Sequence, residues 1–282
     1  MPPPSVVAIV PTFNEPDELR AVVASLLAEE SPSLHIVVVN AGEPLPTDIA
    51  NRVEEIAVPD TFYWTACVQR GIERARELAP SFLYFTNADT PLMPGTLALL
   101  VEHASRHPKT VACAPAYVEH EQGPRLIYAF QDPMGFLLYG RLIRPWQGAS
   151  DAPSEPREIV LTGGQGVVVP MDALTGRNLD VKRFPHYASD HDLWLTLREA
   201  GYQLVLLPKA GVLNRRAFGT HLSKNKLKAF WLRMTSPMLA ESWPTMWRLR
   251  RKHLPLPLAF VSTVLAFVLR WTIGLPKIIK RL

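Results

Sequence analysis

An amide and a carboxylate lie two residues apart in the segment Ser81–Pro91, which reads SFLYFTNADTP. The apolar run Phe82–Phe85 predicts a buried strand, and Asn87 and Asp89 follow its carboxyl end. Because alternate residues of an extended chain point to the same side, both oxygens could face one ligand. A hard divalent cation that carries a diphosphate suits such oxygens. An Asx turn that merely ends the strand is the alternative.

Two further strand ends carry polar groups. The first predicted strand runs into Pro11–Glu15, and the second runs into Asn40-Ala41-Gly42. Ligands of open α/β sheets bind outside the carboxyl ends of the strands, so Thr12 and Asn14 could bond a base or a ribose. The other interpretation is that Asn14 and Glu15 cap the following helix.

A pair of glycines, Gly163-Gly164, follows another short apolar run. Glycine lets the backbone approach a ligand closely, which favours a binding loop. A plain bulge or turn is the competing interpretation.

Two carboxylates precede an apolar helical pattern in the segment that ends Ser189-Asp190-His191-Asp192-Leu193. Ser189 as N-cap with Asp192 at the third position predicts a capping box, which gives Asp192 a structural role. Asp190 then falls in the first turn, where the helix N-terminus favours its anionic form. An ionised carboxylate that faces a cleft can act as a general base. The histidines His186 and His191 are candidate ligands, or ordinary hydrogen-bonded residues.

The spacing of apolar residues predicts alternating strands and helices through the first half of the chain. The predicted strands are Val6–Val10, His35–Val39, Phe82–Phe85 and Val111–Ala114, and the predicted helices are Pro16–Ala28, Asp48–Val53, Ala66–Leu78 and Thr96–His107. This order implies a parallel sheet with helices on both faces. Residues 116–158 predict a long irregular loop, followed by strands within Ile159–Pro170, a helix over Asp190–Ala200 and a strand over Leu204–Leu207.

Charge divides the chain near Arg215. From Arg215 onward there are 14 basic residues and one acidic residue, against 16 basic and 25 acidic before it, although the net charge is only +4. The tail also holds four of the seven tryptophans, Trp231, Trp243, Trp247 and Trp271. Such a segment predicts binding to an anionic membrane surface. Nucleic acid is not expected, because no nucleic-acid motif accompanies the charge.

An apolar run, Leu254–Leu269, lies between the basic segments Arg248–His253 and Arg270. With its extension to residue 276 it is marginal as a span, since crossing a bilayer takes roughly 20 apolar residues. Pro255 and Pro257 near its start favour a helix that lies in one leaflet. A packing helix or a dimer contact is the alternative.

The two cysteines, Cys67 and Cys113, stand in unrelated contexts, which predicts neither a disulfide nor a metal site and suits a reducing compartment. The N-terminal residues lack the basic region of a signal peptide. The 282 residues suffice for one large domain, or one domain with an appendage.

Together these segments resemble an inverting family-2 glycosyltransferase of the GT-A type, over about residues 5–220. The resemblance is carried by Pro11–Glu15, Asn40-Ala41-Gly42, Phe62-Tyr63-Trp64-Thr65, Asn87-Ala88-Asp89 as the DxD-type element, the glycines after Leu161, and Ser189–Leu193. The segments around Trp64 and His186-Tyr187 are similar to bacterial rhamnosyl- and galactofuranosyl-type members that build surface glycans.

The resemblance implies roles for particular residues. It implies Asp190 as the catalytic base and Asp89 as the carboxylate that holds Mg²⁺ or Mn²⁺. His221, in Phe218-Gly219-Thr220-His221, matches a further metal ligand of some relatives, with an ordinary surface histidine as the alternative. The implied donor contacts are Pro11, Thr12, Asn14, Glu15, Asn40, Trp64, Asn87, Gly163 and Gly164, and the implied acceptor-side residues are Trp146, His186, Tyr187 and Asp192.

The chain also departs from the family pattern. Asn40 stands where the family usually has aspartate, which predicts a different recognition of the base. Asn87 is neutral where the first position of the DxD element is often acidic, which leaves Asp89 as the main metal carboxylate. Ser189 replaces the glutamate that often precedes the base.

The implied fold is a Rossmann-like GT-A domain with a mostly parallel sheet over residues 1–222, comprising a nucleotide-binding half (1–115) and an acceptor half (116–222). Residues 223–282 form a basic helical tail with the apolar segment 254–276. The expected enzyme transfers sugar from a UDP- or dTDP-linked donor to a lipid-linked saccharide in surface polysaccharide assembly. We expect it at the cytoplasmic face of the cell membrane, with a homodimer through the tail as the alternative use of that segment.

Two other functions fit the same architecture. An inactive scaffold of a glycan-assembly complex is opposed by the intact Asp89 and Asp190. A sugar-phosphate nucleotidylyltransferase is opposed by the lack of a glycine-rich N-terminal loop followed by a basic residue.

Overall fold

The computed structural model describes residues 5–29, 33–128, 130–131, 142–143, 146–215, 226–236 and 242–279. The strands are β1 (Val6–Thr12), β2 (Leu34–Asn40), β3 (Glu54–Ala57), β4 (Phe82–Phe85), β5 (Thr110–Cys113), β6 (Ala116–Val118), β7 (Arg125–Tyr128), β8 (Phe130–Gln131), β9 (Leu142–Ile143), β10 (Arg157–Ile159), β11 (Val167–Pro170), β12 (Gln203–Leu206) and β13 (Val212–Leu213). The helices are α1 (Pro16–Leu27), α2 (Thr47–Ala50), α3 (Trp64–Leu78), α4 (Thr96–Arg106), α5 (Ser189–Glu199), α6 (Lys226–Thr235), α7 (Trp243–His253) and α8 (Leu256–Ile279).

Eight strands form one central sheet in the order β10-β12-β5-β11-β4-β1-β2-β3. The pairs β1–β2, β1–β4, β2–β3 and β5–β12 are parallel. Only β11, between β4 and β5, and the edge strand β10 run antiparallel to their neighbours in this sheet of the described chain. The expected α/β class and the mostly parallel sheet are therefore confirmed.

Strand β1 shows why this sheet forms. Its residues are all buried, and they alternate between two hydrophobic clusters on opposite faces of the sheet. Val7 and Ile9 pack with Ile72 of α3, whereas Val6 and Ala8 pack with Leu19 of α1. A strand that is covered on both faces reads as a continuous apolar run rather than an alternating one.

Two sequence-based element predictions are only partly confirmed. The helix expected over Asp48–Val53 is the single turn α2, and the next residues form the edge strand β3. Its sequence, Glu-Glu-Ile-Ala, lacks an apolar run because an edge strand can leave side chains in water. The loop expected over residues 116–158 contains short strands, among them β6 and β7, and β6 lies between β7 and β13 in a second small sheet.

The C-terminal helices α7 and α8 form a hairpin, named here the C-terminal hairpin (242–279). Helix α7 is capped by Ser242, whose Oγ accepts a bond from the Thr245 backbone N–H at 3.4 Å. Ring contacts join the two helices, Trp243 with Phe267 and Trp247 with Phe260. Within the part of the chain that the structure describes, no helix has both the length and the apolar character needed to cross a bilayer.

Candidate active site

The carboxyl ends of β1, β2 and β4 meet at one edge of the sheet. Thr12 lies opposite Asn40 in the parallel register, and Ile9 lies opposite Phe85, the last residue of β4. A cavity of about 280 Å³ opens at the ends of β1 and β2. It is lined by Thr12, Asn14, Glu15, Pro16, Leu19, Asn40, Glu43, Pro44, Leu45 and Pro46. The fold thus brings together four of the predicted donor contacts, while Pro11 is buried within β1 just before them.

Asn14 holds the wall of this cavity in place. Its backbone is left-handed, with φ of 54°, and its Oδ1 accepts the Glu43 backbone N–H at 2.8 Å. A Cβ added at Gly42 would lie 2.3 Å from that Oδ1, so only glycine fits there. Helix α1 begins after Glu15 without a side-chain capping bond, so the helix-cap interpretation of Asn14 and Glu15 is wrong.

The Asn40 side chain is almost completely bonded within the protein. Its Nδ2 donates to the Glu43 carbonyl at 2.7 Å and to Glu55 Oε1 at 2.8 Å, while its Oδ1 accepts the Gly42 backbone N–H at 2.9 Å. These partners fix the orientation of the amide, because two acceptors face one end and a donor faces the other. Both amide hydrogens are occupied, so Asn40 can offer a ligand only the remaining acceptor capacity of Oδ1.

The DxD-type element is anchored by its neighbours. Trp64 Nε1 donates to Asn87 Oδ1 at 2.8 Å, and Asn87 Nδ2 donates to Gln165 Oε1 at 3.0 Å. The Thr90 hydroxyl is 2.9 Å from Asp89 Oδ1 and 3.0 Å from Gln165 Oε1. Asn87 therefore joins α3 to residues 163–166, named here the glycine loop. A direct contact of Asn87 with a donor stays a prediction.

Gly164 places the glycine loop against two predicted site residues. A Cβ at this position would lie 2.6 Å from the Trp64 ring and 3.3 Å from Asp190 Cβ. The absence of a side chain is what allows the loop, the indole and the start of α5 to meet. The plain-turn interpretation of Gly164 is therefore insufficient, and the role of Gly163 stays a prediction.

Asp190 lies in the first turn of α5 and is partly exposed. Its Oδ1 accepts the backbone N–H of His191 at 2.8 Å. The predicted capping box is wrong: the residue before the helix is Ala188, in a left-handed conformation with φ of 66°, and α5 has no side-chain cap. Ser189 is instead the first helical residue, and its buried hydroxyl has no hydrogen-bond partner.

Asp192 faces the C-terminal hairpin. Its two oxygens lie 2.8 Å from Lys252 Nζ and 2.8 Å from His253 Nε2. The carboxylate is 6% exposed, so its partners are these two residues, and a direct contact with an acceptor has no support in the geometry.

The segment before α5 packs on the start of α3. The Thr65 hydroxyl donates to the Phe184 carbonyl at 2.6 Å, and the His186 ring contacts the rings of Tyr63 and Tyr187 edge to face. Burial lowers the pKa of His186 and outweighs the opposing charge of Asp190. His186 is therefore held largely neutral between Tyr63 and Tyr187, and a contact of His186 or Tyr187 with an acceptor stays a prediction.

Trp146 is bonded to strand β6 of the second small sheet. It is partly buried, and its Nε1 donates to the Tyr117 hydroxyl at 2.9 Å. Burial raises the pKa of Tyr117 despite that bond, so the phenol stays protonated at neutral pH. A contact between Trp146 and an acceptor stays a prediction.

The chemistry at Asp89 fits a divalent cation. The carboxylate is partly exposed at a strand end and accepts a bond from the Thr90 hydroxyl. No group of three or more His, Cys, Asp or Glu side chains suited to a metal occurs within the described ranges. Mg²⁺ is commonly held by one or two carboxylates together with substrate phosphates, so a single carboxylate is compatible with such a site, and the role of Asp89 as metal ligand stays a prediction. His221, the second predicted ligand, lies outside the described residues.

Cysteine chemistry is absent from this site. Burial raises the pKa of Cys67 to about 11 and raises that of Cys113 further, so both thiols are protonated at neutral pH.

Sequence reasoning missed two residues that organise the site. Gln165 links Asn87 to Thr90, and Glu55 fixes Asn40 from the neighbouring strand. Gln165 stands between two glycines, and this position in a candidate binding loop was the sequence signal that could have identified it. Nothing near Glu55 in the sequence points to Asn40, because the two meet only when β2 and β3 pair.

The fold and the site define a GT-A-type enzyme, with a nucleotide-side cavity at the strand ends and a carboxylate at the first turn of α5. A model of Glycosyl transferase family 2 matches residues 7–148, half of the chain. The chain therefore belongs to Glycosyl transferase family 2 and is a glycosyltransferase.

The fold has a solved counterpart in a crystal structure of GalNAc-T7 with UDP, GalNAc and Mn²⁺. The two share a TM-score of 0.62 at 13% identity, over 94% of this chain and 54% of that chain. This chain thus spans about half the length of that protein, and the likeness shows the fold alone. A search of curated proteins found no match.

Proposed function

We propose that the chain is a metal-dependent inverting glycosyltransferase that uses a UDP- or dTDP-linked sugar and a lipid-linked saccharide acceptor. One observation carries the catalytic part of this proposal. Gly164 brings Asp190 and Trp64 together, and Trp64 is bonded to Asn87 of the same element as Asp89. A candidate base and a candidate metal carboxylate therefore share one site.

The chemistry that this arrangement supports is a single displacement. Asp190 accepts the proton of the acceptor hydroxyl as its oxygen bonds to the anomeric carbon, while the bond from that carbon to the nucleoside diphosphate breaks. Attack from the face opposite the leaving group inverts the configuration. Asp89 would hold Mg²⁺ or Mn²⁺, which supplies the positive charge that a departing diphosphate requires.

The bonding of Asn40 supports a uracil or thymine base. Asn40 can only accept a bond from a ligand, as the aspartate usual in the family does, and both bases present an imide N–H. Cytosine lacks that hydrogen at its ring nitrogen. Pro44, Leu45 and Pro46 provide an apolar wall of the same cavity for the face of a base. The crystal structure of GalNAc-T7 contains UDP, whose base is uracil.

The C-terminal hairpin supports a place at the cytoplasmic face of the cell membrane. Helix α8 buries small side chains, those of Ala259, Ser262, Thr263 and Ala266, and exposes large apolar ones, those of Leu256, Leu258, Phe260, Val261, Leu265 and Val268. A helix that packs in water shows the opposite arrangement. With the surplus of basic residues after Arg215, this face fits an anionic lipid surface, where a lipid-linked acceptor resides.

The test is a screen of nucleotide sugars by thermal shift with and without Mn²⁺, followed by transfer to a lipid-linked acceptor. We expect UDP- or dTDP-sugars to stabilise the protein, more strongly with Mn²⁺ than without. NMR of the product should show an inverted anomeric configuration. Retention of configuration would remove the role assigned to Asp190, and release of free diphosphate instead of nucleoside diphosphate would indicate a nucleotidylyltransferase.

A further inference from the structure

A charge cluster with a buried centre joins the C-terminal hairpin to the helix that carries Asp190. Asp192 of α5 contacts Lys252 Nζ and His253 Nε2, each at 2.8 Å, and His253 Nδ1 lies 2.7 Å from Glu199 Oε1. The His253 side chain is 2% exposed, and Asp192 is 6% exposed. We name these four residues the Asp192 cluster. The buried contact between His253 and Asp192 is far less screened by salt than a surface pair, whereas Lys252 and Glu199 are 30% and 59% exposed.

Both ring nitrogens of His253 face a carboxylate oxygen. A neutral imidazole carries one N–H and can donate only one of these bonds, whereas the imidazolium donates both. Burial by itself lowers the pKa of His253, but the bonds to Asp192 and Glu199 outweigh it and raise the pKa above its ordinary 6.5. The charged groups that face this ring in the described chain are the two carboxylates of α5, with Lys252 of α7 beside Asp192.

The first turn of α5 depends on contacts from outside the helix. It follows the left-handed Ala188 and has no side-chain cap. The Asp192 backbone N–H bonds the Ala188 carbonyl at 2.9 Å, so Asp192 closes the turn that contains Asp190. Helix α7 also places Leu249 in the same hydrophobic cluster as Leu193 and Trp194 of α5.

We propose that Asp192 is a positioning residue through which the C-terminal hairpin fixes the first turn of α5, and with it Asp190. The hairpin then contributes to catalysis by orienting Asp190, in addition to its proposed contact with lipid. This inference rests on the proposed role of Asp190 as the base.

The proposal predicts a pH dependence with a definite sign. A group whose folded pKa is raised stabilises the fold below its unfolded pKa and loses that contribution as the pH rises through the folded value. Deprotonation of His253 removes one of its two bonds, so the turn that holds Asp190 loosens. Transfer should therefore fall on the alkaline side, above pH 6.5.

The experiment compares Asp192→Asn and His253→Gln in the full chain, with a soluble acceptor, from pH 6 to pH 9. Asp192→Asn should lower kcat by about tenfold with an unchanged KM for the donor, as expected when only orientation in the transition state is lost. His253→Gln, which cannot titrate, should flatten the alkaline fall of kcat. The matched control is His35→Gln, since His35 Nε2 contacts Glu54 at 2.6 Å in an exposed pair on β2 and β3. It should keep the wild-type profile.

An unchanged kcat in Asp192→Asn, or an alkaline fall that persists in His253→Gln, overturns the proposal. Circular dichroism and donor binding at pH 7 show whether each variant is folded. If Asp192→Asn fails to fold, the pH profile of His253→Gln decides the question by itself. Asp190→Asn separates the two ideas: full transfer in that variant contradicts the proposed function, whereas loss there with normal Asp192→Asn contradicts only the positioning role.

Discussion

The part of the central sheet formed by β1, β2 and β4 and the C-terminal hairpin differ in which side chains they bury. Around β1, β2 and β4 the large apolar side chains are inside, and polar groups gather at the strand ends. In α8 the small residues are inside, while Phe260 and Val261 are 55% and 59% exposed. Water as the solvent explains the first region, because it drives large apolar groups into a core. In α8 the exposed apolar side chains would be stabilised by an apolar partner that covers the outer face of the helix.

The two regions also contact each other close to the proposed base, Asp190. The hairpin contributes Lys252 and His253 to Asp192, two residues from Asp190. Contacts next to the candidate site therefore connect the two parts of the chain that the sequence analysis separates at residues 222 and 223. The following predictions test each side of this comparison, from the largest expected effect to the smallest.

Replacing the base should have the largest effect. Asp190→Asn should retain donor binding and lose transfer by about 10²-fold or more, the usual scale for removal of a general base. The measurement is kcat with a soluble acceptor, beside donor affinity. Asp17→Asn, on the exposed surface of α1, is the control for loss of a carboxylate. Near-normal turnover in Asp190→Asn would assign the base elsewhere.

The metal carboxylate comes next. Asp89→Ala should abolish the part of nucleotide binding that depends on a divalent cation, because a carboxylate is the preferred hard ligand. Calorimetry with UDP, with and without Mn²⁺, measures this, and Asp151→Ala at an exposed position is the control. His221→Ala should weaken the same binding. Activity that survives EDTA contradicts a role for metal.

Filling the glycine contact should have an intermediate effect. Gly164→Ala puts a Cβ at 2.6 Å from Trp64 and 3.3 Å from Asp190 Cβ, so one of them must move. We expect a destabilisation of about 1–3 kcal/mol, typical of overpacking, with a fall in kcat. Thermal unfolding and kinetics measure both. Gly176→Ala, where an added Cβ meets nothing but φ is +69°, should lower stability through backbone strain and leave kcat unchanged, which separates lost stability from a lost site contact. A wild-type kcat in Gly164→Ala would show that this contact is dispensable.

The outer face of α8 should govern attachment without affecting chemistry. Basic residues add about 1 kcal/mol each near an anionic surface, and salt screens them. Apolar side chains add about 1.5–3 kcal/mol each, which salt does not remove. The full chain should therefore float with anionic vesicles through a high-salt wash.

Phe260→Asp with Val261→Asp should release the protein from vesicles and leave transfer to a soluble acceptor intact. Leu99→Asp, an exposed apolar position on α4, is the control. A different result is that the wild-type protein fails to bind vesicles and forms a dimer that the double variant does not form. That result would identify the outer face of α8 as a subunit contact. Truncation is a poorer test, because removal of Lys252 and His253 leaves Asp192 buried without its partners.

The sequence by itself determined the strand and helix order of the first half, the polar groups at three strand ends, Asp190 near a helix start and the basic apolar tail. These follow from local patterns, since the period of apolar residues and the residues that end a strand are properties of neighbouring positions. The tertiary structure alone decided which side chains meet. It bonded Asn40 to Glu55, Asn87 to Trp64 and Gln165, and Asp192 to His253 rather than to a capping box. These partners are between 15 and 78 positions apart, and packing of the sheet and helices, not local preference, brings them together.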